Sequence, residues 1–291
     1  MDQRIIDLYD EFTHGGITRR TFLDRLSTLA GSTAAAATLL PLLANDYAKA
    51  QTVAANDPRL AIDKISYDSP KGKINAVVAR PKAKGKRPTV IVIHENRGLN
   101  PHIEDVARRL AMAGFLVIAP DLLSVAGGTP STEDAARELH TKANKADMLA
   151  GAVAAIAVAK NHPESTGKVG AVGFCYGGGV VNAMAVTSPD LAAGVAYYGS
   201  QQPADKVPAI RAALLLHYAG LDQRINAGIA AYEAALKANG KTYTIQMYPN
   251  VNHAFNNDAG DARYNKEAAD LAWGRTLAFF KQHLGNPPNA A

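Results

Sequence analysis

Cysteine is almost absent from this chain: its 291 residues hold one, Cys175. A single thiol excludes an intramolecular disulfide and any metal site built from several thiolates. No uninterrupted apolar run reaches the roughly 18 residues of a permanent transmembrane helix, so no stable membrane insertion is expected. No run of Lys and Arg exceeds two residues, and no basic stripe alternates with aromatics. The formal charge of +5 therefore does not point to nucleic acid. What the chain does have is apolar content, 47%, enough for a real core and too much for a wholly disordered chain. The length permits one large domain or two small ones.

Composition shifts near residue 50. Residues 18–24 read Thr-Arg-Arg-Thr-Phe-Leu-Asp, followed by a moderately apolar Ala- and Leu-rich stretch, Leu26 to Leu43. Ala48-Lys49-Ala50 then offers small residues where a signal peptidase cuts. Twin arginines, a mild apolar segment and an A-x-A site resemble a Tat export signal, which would place the mature protein in the periplasm. The same residues also read as structure. Ile5, Leu8, Tyr9 and Phe12 share one helical face, His14-Gly15-Gly16 is a turn signal, and Thr18 is an N-cap candidate for a second helix. A retained helical arm would keep the chain cytoplasmic and pack on the body or on a second subunit, as in a homo-oligomer. Both readings divide the chain into 1–50 and 51–291. Residues 1–50 hold five basic and six acidic side chains, so the positive balance belongs to the body.

The body alternates strands with helices. Residues 62–67 and 74–80 flank Pro70-Lys71-Gly72 as a hairpin. Thr89 to Ile93 is the β-branched run of a strand buried on both faces. Further strands are expected at 115–119, 169–174, 191–198, 212–218 and 242–248. Helices are expected at 102–113, 132–160, 177–186, 227–239 and 264–284. This order implies one α/β domain with a mostly parallel sheet covered on both faces, whose ligand lies at the carboxyl ends of the strands.

Three strand ends carry chemistry. Gly173-Phe174-Cys175-Tyr176-Gly177 has the G-x-nucleophile-x-G spacing of a nucleophile elbow, between a strand and a helix. The turn would strain and expose Cys175, and the following helix N-terminus would favour its thiolate. The backbone N–H of Tyr176 would face a developing oxyanion. No Lys-Ser or Lys-Thr follows the glycines, which speaks against a phosphate loop. Asp222, just past the strand that holds His217, is placed to orient an imidazole or to cap a helix. His217 itself reads as a core residue. His253 lies in the loop after the last strand. Nucleophile, acid and base in this order match the α/β-hydrolase arrangement.

On these motifs residues 60–285 resemble the dienelactone hydrolase family of α/β-hydrolases, which uses a Cys-His-Asp triad. The resemblance implies Cys175 as nucleophile, Asp222 as orienting acid and His253 as general base. It also implies Glu95, in His94-Glu95-Asn96-Arg97, as the carboxylate that contacts the resting thiol, and the N–H of Asn96 as second oxyanion donor. The family holds its substrate carboxylate with arginines, one shortly after the catalytic His. Here Asn256, Asn257 and Asp258 stand there, leaving Arg97 or Arg263 as substitutes. His94, Glu95, His102 and Glu104 lack a metal-motif spacing, so neither metal nor cofactor is expected. The expected activity is hydrolysis of a small-molecule ester or lactone through a thioester. A general carboxylesterase or thioesterase on the same machinery is the alternative. A non-catalytic binding protein with an interaction arm is the reading from another class.

Overall fold

The computed structural model describes residues 1–47 and 51–288. The candidate cleavage site Ala48-Lys49-Ala50 lies outside the described residues. The chain opens with helices α1 (Gln3–Thr13), α2 (Arg19–Ala30) and α3 (Thr33–Leu43), capped by the side chains of Asp2, Thr18 and Ser32. The apolar stretch from Leu26 is not continuous. Gly31, at φ 83°, ends α2 in the left-handed conformation that glycine tolerates, and Ser32 starts α3. Leu8, Tyr9, Phe12, Phe22, Leu26 and Leu43 form a small core of their own, with Phe12 and Phe22 stacked 4.6 Å apart. Among the described residues no single helix is long and apolar enough to cross a membrane; α2 and α3 pass together but meet at a 112° bend.

The body begins with the antiparallel hairpin β1 (Leu60–Ser69) and β2 (Gly72–Pro81). There follow β3 (Arg87–Ile93), α4 (Pro101–Met112), β4 (Leu116–Asp121), α5 (Glu133–Lys142), α6 (Lys145–Asn161), β5 (Ser165–Phe174), α7 (Tyr176–Thr187), β6 (Ala193–Tyr197), β7 (Ala213–Ala219), α8 (Gln223–Asn226), α9 (Ile229–Ala238), β8 (Tyr243–Tyr248) and α10 (Lys266–Leu284). The strands form one sheet in the order β1-β2-β4-β3-β5-β6-β7-β8. Pairing is antiparallel at β1–β2 and β2–β4 and parallel from there on.

Alternation along each strand splits the core in two. In β3, Ile91 and Ile93 pack with α6, α7 and α9, whereas Val90 and Val92 pack with α4 and α10 on the other face. The mostly parallel sheet expected from the strand–helix alternation is present, with the α/β-hydrolase architecture that the family resemblance implies. One element differs from expectation: the stretch 132–160 is two helices. Ala143 is extended and the Asn144 side chain accepts the N–H groups of Ala146 and Asp147, capping a new helix. The break carries the end of α5 to the site, where the His140 ring meets Tyr176 at 4.4 Å.

Candidate active site

The turn between β5 and α7 holds Cys175 at φ 54°, ψ −116°, a conformation costly for a residue with a side chain. Glycines make the turn possible. A Cβ on Gly173 would lie 2.1 Å from the Gly177 carbonyl oxygen, and one on Gly177 would lie 2.4 Å from that of Ile93. The Cys175 N–H donates to the Tyr197 carbonyl at 3.1 Å, tying the elbow to β6.

Asp222 and His253 meet beside it. His253 Nδ1 lies 2.5 Å from Asp222 Oδ2, while Asp222 Oδ1 accepts the Ile225 N–H at 3.2 Å. The carboxylate therefore holds the imidazole with one oxygen and caps the helix with the other. Burial raises the Asp222 pKa, but the bonds from His253 and Ile225 outweigh it and hold the carboxyl below its ordinary value. The His253 ring packs on Tyr198 at 4.8 Å. Its Nε2 is buried without a hydrogen-bond partner among the described residues.

The residue on the thiol is one that the motifs do not flag. His14, at the end of α1, places Nε2 3.2 Å from Cys175 Sγ. Its Nδ1 donates to the Asp10 carbonyl oxygen at 2.8 Å and lies 3.3 Å from Asp10 Oδ2. Burial lowers the His14 pKa, but Cys175 and Asp10 outweigh it and raise it overall. Asp10 is held well below the carboxylate range: burial is overcome by His253, His14 and Arg263.

The role implied for Glu95 is corrected on one point. Glu95 is buried, but its Oε2 accepts from Asn257 Nδ2 at 2.9 Å, and the hydrogen-bond partner of the thiol is His14. Asn96 lines the site and donates from Nδ2 to the Thr13 carbonyl at 2.7 Å, anchoring the arm. Arg97 is also corrected. Its guanidinium is buried between the Tyr9 hydroxyl, at 3.2 Å, and the Glu133 carboxylate, at 3.3 Å. It does not line the cavity at Cys175. That cavity, about 180 Å³, is bounded by His14, Asn96, Cys175, Tyr176, Tyr198 and His253, and its arginine is Arg224 of α8. Arg263 pairs instead with Asp10, at 3.3 Å.

Arg224 follows Asp222 by two residues, and only the short helix α8 turns it into the cavity; no spacing rule marks it. Tyr198 stands just past the end of β6, the one cue that it faces the site. His217 is the core residue expected, between Thr276 Oγ1 at 3.2 Å and Tyr248 Oη at 2.9 Å. Burial pushes its pKa down to about 3.

His94, Glu95, His102 and Glu104 are not gathered as ligands. His94 donates to the Glu95 carbonyl and accepts from the Leu122 N–H, and His102 pairs with Asp258. Instead His14, Cys175 and His253 have their donor atoms within 4.8 Å of one another. A thiophilic cation would find two nitrogens and a sulfur there. Cation binding does not require the strained backbone that Cys175 adopts.

A mostly parallel sheet with a strained elbow after β5, an acid after β7 and an imidazole after β8 is the arrangement of an α/β-hydrolase. The chain belongs to the dienelactone hydrolase family, whose model matches residues 74–284. A second family model, described as YqhI-like, matches residues 1–31. Among curated relatives, a candidate carboxymethylenebutenolidase of Methylorubrum extorquens is 31% identical over 92% of this chain and 96% of its own length. A hydrolase fragment of Escherichia coli, YghX, is 49% identical over 35% of this chain and 90% of its own. Among solved structures, a candidate dienelactone hydrolase of Klebsiella pneumoniae superposes with a TM-score of 0.69 at 33% identity, covering 77% of this chain and 99% of that one.

Proposed function

We propose that this hydrolase cleaves a small-molecule ester or lactone through a thioester on Cys175. His253, oriented by Asp222, serves as general base, and the N–H groups of Tyr176 and Asn96 receive the oxyanion. The observation that carries the reading is the Asp222–His253 pair beside a cysteine held in a strained elbow, with the imidazole Nε2 lacking a hydrogen-bond partner among the described residues. The thiolate attacks the carbonyl carbon, the alkoxide leaves, and water activated by His253 releases the acid and restores the thiol. Esters and lactones suit this chemistry better than amides, because a thiolate departs from the tetrahedral intermediate more readily than an amine.

A general carboxylesterase or thioesterase is the second reading. It is favoured by Asn256, Asn257 and Asp258 standing where the family carries a substrate-binding arginine. The test is a panel of neutral esters, carboxylate-bearing esters and a dienelactone, run on wild type and Cys175→Ala. Hydrolysis lost with Cys175 supports the mechanism. Lactone turnover comparable with that of the best ester supports the narrower activity, and brisk ester turnover without it supports the general esterase. Full activity of Cys175→Ala rejects the mechanism.

A further inference from the structure

The N-terminal arm is docked along its length on the catalytic face. Gln3 donates to Asn252 Oδ1 at 2.6 Å, Tyr9 meets Arg97, Asp10 pairs with Arg263 and Arg224, and Thr13 receives Asn96. Arg137 sits over the Phe12 ring at 4.1 Å. The outcome of these contacts is that His14 reaches Sγ, 161 positions away along the chain.

The hydrogen bonds of His14 fix its tautomer. Its Nδ1–H is given to the Asp10 carbonyl, so in the neutral ring the Nε2 lone pair points at the thiol. The Asp10 carboxylate, 3.3 Å from Nδ1, sets a negative charge behind the ring as Asp222 does behind His253, while the Nδ1–H itself goes to the Asp10 backbone carbonyl. An inert plug over the site would need neither the imidazole nor the carboxylate behind it. His253 Nε2, meanwhile, has no hydrogen-bond partner among the described residues.

Building on the mechanism proposed above, we infer that His14 is a second catalytic imidazole, held by Asp10, so that the arm completes the active site and the two imidazoles divide the reaction. His14 Nε2 takes the proton of the Cys175 thiol. The sulfur forms a bond to the acyl carbon, the carbon–oxygen bond breaks, and the imidazolium returns the proton to the leaving oxygen. His253 then takes a proton from water, the new carbon–oxygen bond forms, the carbon–sulfur bond breaks, and the proton passes to sulfur. The working enzyme therefore keeps its first 50 residues, because a cut after Ala50 would remove His14.

The charged and titratable groups around His14 are Asp10 on its own helix, Cys175 on the elbow, and His253 backed by Asp222. Arg263 and Arg224 hold Asp10, and His140 approaches from α5. The test uses full-length His14→Gln and Asp10→Asn. It reads the pH dependence of Cys175 alkylation by iodoacetamide and the separate rates of acylation and deacylation on a chromogenic ester.

His14→Gln is expected to move thiolate formation to higher pH and to slow acylation about 100-fold or more with deacylation little changed. Asp10→Asn shifts both readouts in the same direction by less, and guards against misfolding of the first variant. Added imidazole restores acylation in His14→Gly. An unchanged alkylation profile, faster acylation in His14→Gln or no rescue by imidazole would overturn the inference. These results leave the Cys175 mechanism standing, which fails only if Cys175→Ala still hydrolyses the ester.

Discussion

Asp222 Oδ2 and His253 Nδ1 lie 2.5 Å apart, both buried, with the other Asp222 oxygen capping α8. The aspartate thus fixes the ring that faces Cys175 and the helix that carries Arg224. Asp222→Asn is expected to lower the deacylation rate, and kcat with it, on a short p-nitrophenyl ester by about a thousandfold or more, since it removes the charge that favours the imidazolium and permits the wrong tautomer. The α8 cap survives, because an asparagine oxygen still accepts the Ile225 N–H, so the unfolding midpoint should barely move. A loss of activity below about tenfold would contradict the assigned role.

Arg224 and Arg97 should behave oppositely. Arg224 lines the cavity and its side chain is 48% exposed, whereas Arg97 is buried against Tyr9 and Glu133. Arg224→Ala is expected to raise KM about tenfold for an ester carrying a free carboxylate and far less for a neutral ester. Arg97→Ala should cost about 1–3 kcal/mol of unfolding free energy, because it removes the charged bonds to Tyr9 and Glu133 from a buried position, although Glu133 keeps Asn45 and Tyr47 as donors. Steady-state kinetics on the two esters and urea titration separate these outcomes; a carboxylate-specific KM effect at Arg97 alone would reverse the assignment.

A pair of glycines gives a contrast in sign. Gly173→Ala brings a Cβ to 2.1 Å from the backbone oxygen of Gly177, which no side-chain rotation can relieve. It should destabilise the fold by about 1–3 kcal/mol and abolish turnover by moving Cys175. Gly274 lies within α10, and a methyl group there would meet nothing within 4 Å. Gly274→Ala should therefore stabilise the helix by about 0.5–1 kcal/mol. Denaturant unfolding of both variants checks the prediction.

Docking of the arm should depend on pH in two directions. The Asp10 pKa is lowered in the fold, so its contribution is present above the ordinary carboxyl range near about 4 and is lost as pH falls below it. The His14 pKa is raised, so its contribution is present below the ordinary histidine value of about 6.5 and fades as pH rises through the raised one. Hydrogen exchange of α1 amides, corrected for intrinsic rates, should show most protection between these limits. Protection that stays flat down to about pH 3 would contradict it.

The legible and illegible parts of this molecule differ in range. The elbow is readable because a strand end, two glycines and a cysteine are adjacent in sequence. Asp222 and His253 are readable because each follows its own strand in the expected order. The break before Asn144 is masked by the Ala-rich pattern that continues across it, although Asn144 is itself a cap signal. Spacing cannot assign His14 to the site: its partner is 161 positions away, and the contacts that deliver it are single hydrogen bonds and ion pairs spread along α1. Glu95 does fall just past β3, as its motif implies, but which group its carboxylate meets depends on Asn257, a residue without a motif.

Intact-protein mass after rapid quenching with a slowly hydrolysed ester tests the central claim most directly. An acyl-enzyme on Cys175 predicts a transient increase by the mass of the acyl group, mapped to the peptide holding Cys175 and absent from Cys175→Ala. Steady hydrolysis with no adduct at any time, and no loss of rate in Cys175→Ala, would contradict it.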